Sequence, residues 1–137
     1  MLNVRHRAWL SCVPDKSDES RYEKYSRIGS PLADLPPVDE AAYLVDYLME
    51  VGPVASGGMA PAAISYSEIA AWAEITSTII SPWDAHMLRY LSRVYVNQYS
   101  DSKDIRAQAP WQDSMPIEDR RAAVVAGFKA LSSRGAK

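Results

Sequence analysis

The sequence has little cysteine and little histidine, and these shortages exclude several kinds of site. The single cysteine, Cys12, has no partner for an intramolecular disulfide and cannot form a multi-cysteine zinc site. The two histidines, His6 and His86, form no His-Glu-x-x-His pair. No apolar run approaches the roughly 20 residues that a membrane-spanning helix needs. We therefore predict a soluble, cytoplasmic protein with no membrane span.

Motifs that carry chemistry are missing as well. Gly57 and Gly58 lie in a linker that lacks the following Lys-Ser/Thr of a phosphate-binding loop. The polar stretch over residues 15–27 lacks the mid-loop glycine and the bidentate glutamate of a calcium loop. No serine, threonine or cysteine has a recognisable nucleophile context. The sequence therefore predicts a protein that is not an enzyme and uses no cofactor or metal.

Lysine and arginine are absent from residues 28–88, which contain eight acidic residues and carry a formal charge of −8. Residues 1–27 carry +2, and residues 89–137 carry +4. Two explanations are open: the basic tail lies on the acidic centre of the same chain, or the acidic centre attracts a basic partner. In either case the acidic centre disfavours phosphate binding there.

Helical periodicity and capping signals predict an all-α fold, since no strand pattern of useful length is present. We expect about four helices in a single domain over residues 30–137, preceded by an irregular, partly ordered N-terminal arm over residues 1–29. The helices of the domain are predicted over residues 38–51, 65–77, 82–99 and 116–133.

The N-terminal arm gives weak signals. Residues 1–14 show neither the period of a strand nor that of a helix, so a short strand, an ordered arm and a frayed segment all remain open. A short helix is predicted over residues 17–26, with Ser17 as its N-cap and with Ser20 and Glu23 as a weaker alternative capping box.

The clearest signals surround the junction of the two central helices. Ser65 and Glu68 form a capping box for the helix over residues 65–77. The tetrapeptide Ser81-Pro82-Trp83-Asp84 supplies the next helix with an N-cap serine, a proline at the first helical position and an early acid. Core-facing stripes are predicted on all four helices: Ala41, Leu44, Val45, Leu48 and Met49; Ile69, Trp72, Ala73, Thr76 and Ile79 or Ile80; Trp83, Met87, Tyr90, Leu91, Val94 and Tyr95; and Ile117, Val124, Phe128 and Leu131.

The two central helices, joined by a short turn, also match the outline of a helix-turn-helix. The second of them begins Pro82-Trp83-Asp84 and has no arginine or lysine before Arg89. DNA binding requires neutralisation of phosphates by such side chains, so a nucleic-acid partner is not expected.

Three motifs follow one another between residues 61 and 95: Ile-Ser-Tyr-Ser-Glu-Ile-Ala-Ala-Trp-Ala-Glu-Ile-Thr, then Ser-Pro-Trp-Asp, then Leu-Arg-Tyr-Leu-Ser-Arg-Val-Tyr. This segment, about a quarter of the chain, resembles the tail assembly chaperones, small proteins encoded among the tail genes of tailed bacteriophages. The chain differs from them in having Ser77 and Thr78 where a glycine commonly follows the position of Thr76. It also has a longer N-terminal arm and a distinct C-terminal helix.

The resemblance implies a non-enzymatic protein that binds the tape measure protein, the tail tube protein or both in the host cytoplasm, before the tail polymerises. Exposed aromatic and acidic surfaces would hold amphipathic helices of that partner. The alternative function is a small helical phage or prophage regulator that binds a host protein or DNA, and a homo-oligomer is compatible with either function. The candidate contact residues, for which a core position is the alternative, are Trp72, Trp83, Tyr90, Tyr43, Tyr47 and Trp111.

Overall fold

The computed structural model of the protein describes residues 1–38, 40–55, 57–111 and 117–134. Within these residues the chain forms six α-helices, one 3-10 turn and no β-strand, so the all-α prediction is confirmed and the predicted number of about four helices is too low. None of the helices in this part of the chain is long and apolar enough to cross a membrane. The elements are α1 (Leu2–Ser11), α2 (Arg21–Arg27), the 3-10 turn Pro31–Ala33, α3 (Ala42–Val51), α4 (Tyr66–Thr76), α5 (Pro82–Asp101) and α6 (Ile117–Arg134).

Reciprocal capping boxes begin both central helices; the box of α4 was predicted as such, and for α5 the sequence predicted the N-cap serine, the proline and the early acid. At the start of α4, the Ser65 hydroxyl accepts a hydrogen bond from the Glu68 N–H, and the Glu68 carboxylate accepts one from the Ser65 N–H. Ser81 and Asp84 make the same pair of bonds at the start of α5, where a proline occupies the first helical position. Each box satisfies two backbone N–H groups that a helix start would otherwise leave without partners.

Helix α2 begins later than predicted. Ser20 and Glu23 form its capping box, so the helix starts at Arg21. The Ser17 hydroxyl instead donates to the Glu19 carbonyl at 3.2 Å, in the turn that precedes the helix. The predicted N-cap at Ser17 is therefore wrong, and the alternative box is the one that the chain uses.

Helix α5 is the central element of the core. It contributes Leu88, Leu91 and Tyr95 to a single buried cluster that also draws on α1, α3, α4 and the residue before the α4 cap. Burial of apolar surface on this scale is the main force that stabilises a domain of this size. The members of the cluster are Val4, Ala8, Leu44, Val45, Leu48, Ile64, Ile69, Leu88, Leu91 and Tyr95.

The apolar stripe predicted on α5 is confirmed except at Trp83, since its other five residues lie in the main core or pack against it. Leu88, which was not part of that stripe, is fully buried, whereas Trp83 is exposed. Ser92 and Gln98 are buried through hydrogen bonds. These two polar side chains lie on the side of α5 that faces the core. A prediction based on hydrophobic periodicity assigns polar residues to the solvent side and therefore misses them.

Helix α3 starts at Ala42 rather than near residue 38, and its N-cap residue, Ala41, offers no side-chain cap. Asp39, which the predicted range 38–51 includes, lies outside the described residues. The helix ends at Gly52, whose φ of 98° favours glycine. Its predicted stripe is confirmed, because Leu44, Val45 and Leu48 are buried while Ala41 and Met49 pack against them at half exposure.

The N-terminal segment is helical, which corrects the prediction of an irregular arm. Helix α1 contacts α5 more extensively than any other two elements of the described chain contact each other. Val4 and Ala8 lie in the main core, while Trp9 and Leu10 form a second buried cluster with Ala109. The first helix of the chain is therefore part of the folded body.

Buried polar side chains explain why α1 shows no amphipathic pattern. Asn3 donates from Nδ2 to the Pro36 carbonyl at 2.6 Å, and His6 donates from Nε2 to the Leu32 carbonyl at 2.9 Å. Both side chains are buried. Since buried backbone carbonyls need hydrogen-bond donors, Asn3 and His6 supply donors to carbonyl groups in the segment that follows α2. Periodicity analysis treats such residues as solvent-facing.

Helix α6 exposes the side that was predicted to pack. Val124, Phe128 and Leu131 are each more than half exposed, and so is Val125. The core-facing prediction is therefore wrong for Val124, Phe128 and Leu131. The predicted start at Pro116 and the side chain of Ile117 lie outside what the structure describes.

A buried serine joins the two ends of the linker between α3 and α4. The Ser92 hydroxyl accepts a hydrogen bond from the Ile64 N–H at 2.9 Å and donates one to the Pro53 carbonyl at 2.7 Å. The Ala55 N–H donates to the Ala62 carbonyl at 2.8 Å, which brings the linker ends together. Residues 57–60, between these contacts, are exposed.

The buried His6 makes stability depend on pH. Burial lowers the pKa of its imidazole below the ordinary value of 6.5, against smaller raising effects of the Leu32 and Asp34 backbone. As pH falls below about 6.5, the unfolded chain therefore takes up a proton before the folded chain does, and the free energy of unfolding should decrease. The slope from this group is at most about 1.4 kcal/mol per pH unit, down to the pKa of the folded state. Urea unfolding at a series of pH values measures it.

Two variants isolate the contribution of this imidazole. His6→Gln, whose amide can still donate to the Leu32 carbonyl, should remove the component that starts near pH 6.5. His86→Gln, at an exposed position on α5, should keep it. An unchanged slope in His6→Gln would show that other groups cause the pH dependence.

Candidate functional site

Three aromatic side chains from two helices form a continuous array at the edge of the main core. Tyr43 and Tyr47 lie one turn apart on α3, with ring centroids 5.6 Å apart and nearly perpendicular planes. Tyr47 also contacts Trp72 of α4, with a centroid separation of 5.0 Å. Tyr43 is 43% exposed, while the other two rings are half-buried. The array thus runs from the core edge to the surface.

The first turn of α5 extends this array through Asp84. The Tyr43 hydroxyl donates to Asp84 Oδ1 at 2.8 Å, and the Ser81 N–H donates to Oδ2 at 2.9 Å. One carboxylate therefore caps α5 and also ties it to α3. The Ser81 N–H, followed by the Tyr43 hydroxyl, holds the pKa of Asp84 below its ordinary value. The same hydrogen bond to Asp84 raises the pKa of Tyr43, so the pair is a carboxylate and a protonated phenol at neutral pH.

Two acidic side chains border the rings. Tyr43, Asp46, Tyr47 and Glu50 follow one another at i, i+3, i+4 and i+7, which places them on one side of α3. Asp46 and Glu50 are exposed, and neither has an ion-pair partner in the described part of the chain. The exposed Trp83 precedes Asp84 in the first turn of α5. We call the set Tyr43, Asp46, Tyr47, Glu50, Trp72, Trp83 and Asp84 the acidic–aromatic surface.

The first basic residue after the base-free segment is engaged elsewhere. The Arg89 guanidinium lies over the Tyr66 ring, 4.6 Å from its centroid, and its Nε donates to the Ile64 carbonyl at 3.3 Å. A cation stacked on an aromatic face and bonded to a carbonyl is held in place. Arg89 therefore has partners of its own within the described part of the chain.

The other candidate contact residues lie outside the array. Trp83 stands beside Asp84 in the first turn of α5 and is 57% exposed. Tyr90 is half-buried and packs against the main core. Trp111 is also half-buried and lies edge-on to His6 of α1, with centroids 5.8 Å apart. The structure therefore brings Tyr43, Tyr47 and Trp72 into direct contact, with Trp83 next to their carboxylate partner.

Because Trp83 is exposed, its removal should reduce the free energy of unfolding only slightly. A tryptophan buried as its predicted stripe implied would cost about 3–5 kcal/mol on truncation to alanine, whereas surface substitutions usually stay within about 0.5 kcal/mol. We expect Trp83→Ala to lower the free energy of unfolding by less than about 1 kcal/mol, measured by urea unfolding. The matched variant Trp9→Ala removes a buried ring and should cost about 3–5 kcal/mol. Equal losses in the two variants would contradict this assignment.

Sequence reasoning missed the acidic members of the surface as site residues. The helix-start signal did place Asp84 in the first turn of α5, but its hydrogen bond to Tyr43 crosses 41 positions of the chain. Asp46 and Glu50 were visible only as part of a regional charge. The i, i+3, i+4, i+7 spacing from Tyr43 was the signal that could have joined them to the tyrosines.

The acidic–aromatic surface presents aromatic rings, hydroxyls and carboxylates, which are groups suited to non-covalent binding of another molecule. Among the described residues, no group of three or more histidine, cysteine, aspartate or glutamate side chains is placed to hold a metal ion. Comparison of the chain with protein-family models, with curated proteins and with solved structures finds no match.

Proposed function

We propose that the protein works by binding another protein through the acidic–aromatic surface, without catalysing a reaction. The observation that carries this proposal is the partly exposed array Trp72–Tyr47–Tyr43, tied to Asp84 by a 2.8 Å hydrogen bond. Tyrosine and tryptophan are enriched among the residues that dominate binding free energy at protein interfaces. Their positions are already fixed by contacts within the chain, so little conformational entropy is lost when a partner binds.

The charge around the array selects a basic partner. Residues 28–88 contain no lysine or arginine, and Asp46 and Glu50 are exposed beside the rings. Carboxylates steer an approaching basic segment and fix its register, while the rings accept its apolar side chains. A basic amphipathic helix carries both kinds of side chain and fits this surface best.

The inner end of the array supports the same proposal. The Trp72 indole N–H is buried and has no hydrogen-bond acceptor among the residues that the structure describes. Buried donors without acceptors are rare and cost free energy. A bound segment that shifts the Trp72 and Tyr47 rings slightly can bring a carbonyl oxygen to this donor.

The resemblance of residues 61–95 suggests which protein is bound. Two of the resembling motifs supply Trp72 and the Ser81–Asp84 capping box, and both build the acidic–aromatic surface. We therefore propose a tail assembly chaperone of a tailed bacteriophage. Its partner would be the tape measure protein, the tail tube protein or both, bound before the tail polymerises.

Pull-down of the tape measure protein, and separately of the tail tube protein, tests this function. At low ionic strength the wild-type chain should capture at least one of them, and added salt should weaken the capture. The double variant Tyr43→Ala, Trp83→Ala should weaken capture at least about tenfold. Tyr22→Ala removes a similarly exposed ring on α2 and should leave capture unchanged. No capture of either protein by the wild-type chain would refute the chaperone function, and full capture by the double variant would refute the surface.

A further inference from the structure

The apolar face of α6 is a second surface that the described residues leave largely uncovered, although α6 also contacts the 3-10 turn Pro31–Ala33. Its members Val124, Val125, Phe128 and Leu131 recur at i, i+1, i+4 and i+7, which places them on one side of the helix. All four are more than half exposed, and Phe128 is 69% exposed. Contiguous apolar groups of this kind mark a site of interaction, whereas isolated exposed apolar residues need no explanation.

Positive charge accompanies this apolar face. Arg121 lies one turn before Val124 and Val125 on the same side of the helix, and Lys129 flanks Phe128; both basic residues are exposed. Residues 117–134 contain four basic and two acidic residues. Helix α6 is therefore a basic helix with an exposed apolar face, which is the chemistry that the acidic–aromatic surface accepts.

We propose that α6 of one molecule docks on the acidic–aromatic surface of a second copy, and that the second copy returns the contact. The result is a two-fold symmetric dimer in which each surface of one protomer meets the other surface of its partner. A single helix face gives a small interface, but the reciprocal arrangement doubles the buried area. The inference rests on the proposed function in one respect only, since it uses the same acidic–aromatic surface.

Complementary charges and exposed apolar side chains specify the contact. Phe128 and Leu131 supply apolar anchors one turn apart, which meet the exposed rings of Tyr43 and Trp83. Arg121 and Lys129 face the carboxylates of Asp46 and Glu50, which have no ion-pair partner within the described part of the chain. A docked α6 covers the surface proposed for the protein partner. Self-association and partner capture are therefore mutually exclusive, and a partner of higher affinity dissociates the dimer.

A reciprocal charge reversal tests the dimer on the full chain alone. Arg121→Glu, Lys129→Glu reverses α6, and Asp46→Lys, Glu50→Lys reverses the acidic–aromatic surface. Each double variant by itself brings like charges together at both contacts and should raise the dimer dissociation constant at least about tenfold. The equimolar mixture pairs opposite charges at both contacts and should form a one-to-one heterodimer with near wild-type affinity. Analytical ultracentrifugation from about 1 to about 100 μM, where mass action shifts the monomer–dimer balance, measures all four samples.

Control variants separate the named contact from general effects. Asp15→Lys, Asp18→Lys makes the same change of net charge at exposed positions outside the base-free segment, and it should leave the dimer intact. Phe128→Asp should give a monomer, whereas Tyr22→Asp, which places the same charge at an exposed ring on α2, should not. Far-UV circular dichroism and urea unfolding establish that each variant is folded before its oligomeric state is compared.

Three results would overturn the proposal. A wild-type chain that stays monomeric over the whole concentration range has no such dimer. A dimer that persists in Asp46→Lys, Glu50→Lys is held by another surface, for example α6 against α6. A mixture of the two reversed variants that stays monomeric shows that the two surfaces do not meet. Because no other protein is present, these results are independent of whether the tape measure or tail tube protein is captured.

Discussion

A variant that lacks residues 1–13 is expected to lose cooperative folding, because those residues include α1. This helix buries six of its ten residues: Asn3, Val4, His6, Ala8, Trp9 and Leu10. A large apolar side chain contributes about 1.5–3 kcal/mol when it is fully buried, so Val4, Trp9 and Leu10 together approach the ~5–15 kcal/mol of a whole domain. Far-UV circular dichroism during urea unfolding should show no sigmoidal transition.

The same deletion also removes hydrogen bonds that the irregular segment after α2 needs. Without Asn3 and His6, the Pro36 and Leu32 carbonyls lose their side-chain donors. The matched control lacks residues 117–137, which takes away α6 instead. Since the described apolar side chains of α6 are mostly exposed, this control should keep a cooperative transition. A cooperative transition of wild-type midpoint in the variant without α1 would show that this helix does not contribute to the stability of the folded body.

Arg21→Met is expected to lower the free energy of unfolding by about 3–5 kcal/mol, since it removes charge-assisted hydrogen bonds from a buried position. Arg21 is only 5% exposed, and its guanidinium donates to the carbonyls of Ser102 at 2.6 Å and Asp104 at 2.8 Å. It also lies over the Trp9 ring, 5.0 Å from the centroid. Methionine keeps part of the side-chain volume but leaves these carbonyls, at and beyond the end of α5, without donors.

The control for this prediction is Arg27→Met in the same helix. Arg27 is largely exposed and pairs with Glu19 at 2.5 Å. An exposed ion pair contributes about 0–1 kcal/mol, so this variant should unfold close to the wild type. Urea unfolding of both variants measures the difference. Similar losses at the two positions would show that the buried guanidinium is not a principal tie between α2 and the end of α5.

Local signals in the sequence predicted the starts of α4 and α5, because a capping box needs only residues three positions apart. Ser65 with Glu68, and Ser81 with Asp84, satisfy each other without help from distant parts of the chain. Helix α1 was not predicted, because its polar side chains are buried by hydrogen bonds to residues about 30 positions away. Asn3, which donates to the Pro36 carbonyl, is an example. Burial of that kind depends on tertiary contacts and leaves no periodic pattern.

For the candidate site, too, the sequence predicted contacts within one helix but not contacts between helices. The neighbourhood of Tyr43 and Tyr47 follows from helical spacing alone. The contact of Tyr47 with Trp72 depends on how α3 packs against α4, and the bond from Tyr43 to Asp84 depends on how α5 meets α3. The packing of helices depends on the whole core. The sequence pattern therefore identified the aromatic residues as candidates but could not predict which of them are in contact.

The hydroxyl of Ser92 has a practical consequence for the linker that it holds. Because it binds both Ile64 and Pro53, the ends of the linker stay together whatever lies between them. Longer loops between fixed ends cost little additional closure entropy, and exposed loop tips tolerate insertion best. The exposed residues 57–60 are therefore the place to insert an affinity tag or a fluorophore site, leaving both termini and both proposed contact surfaces unaltered.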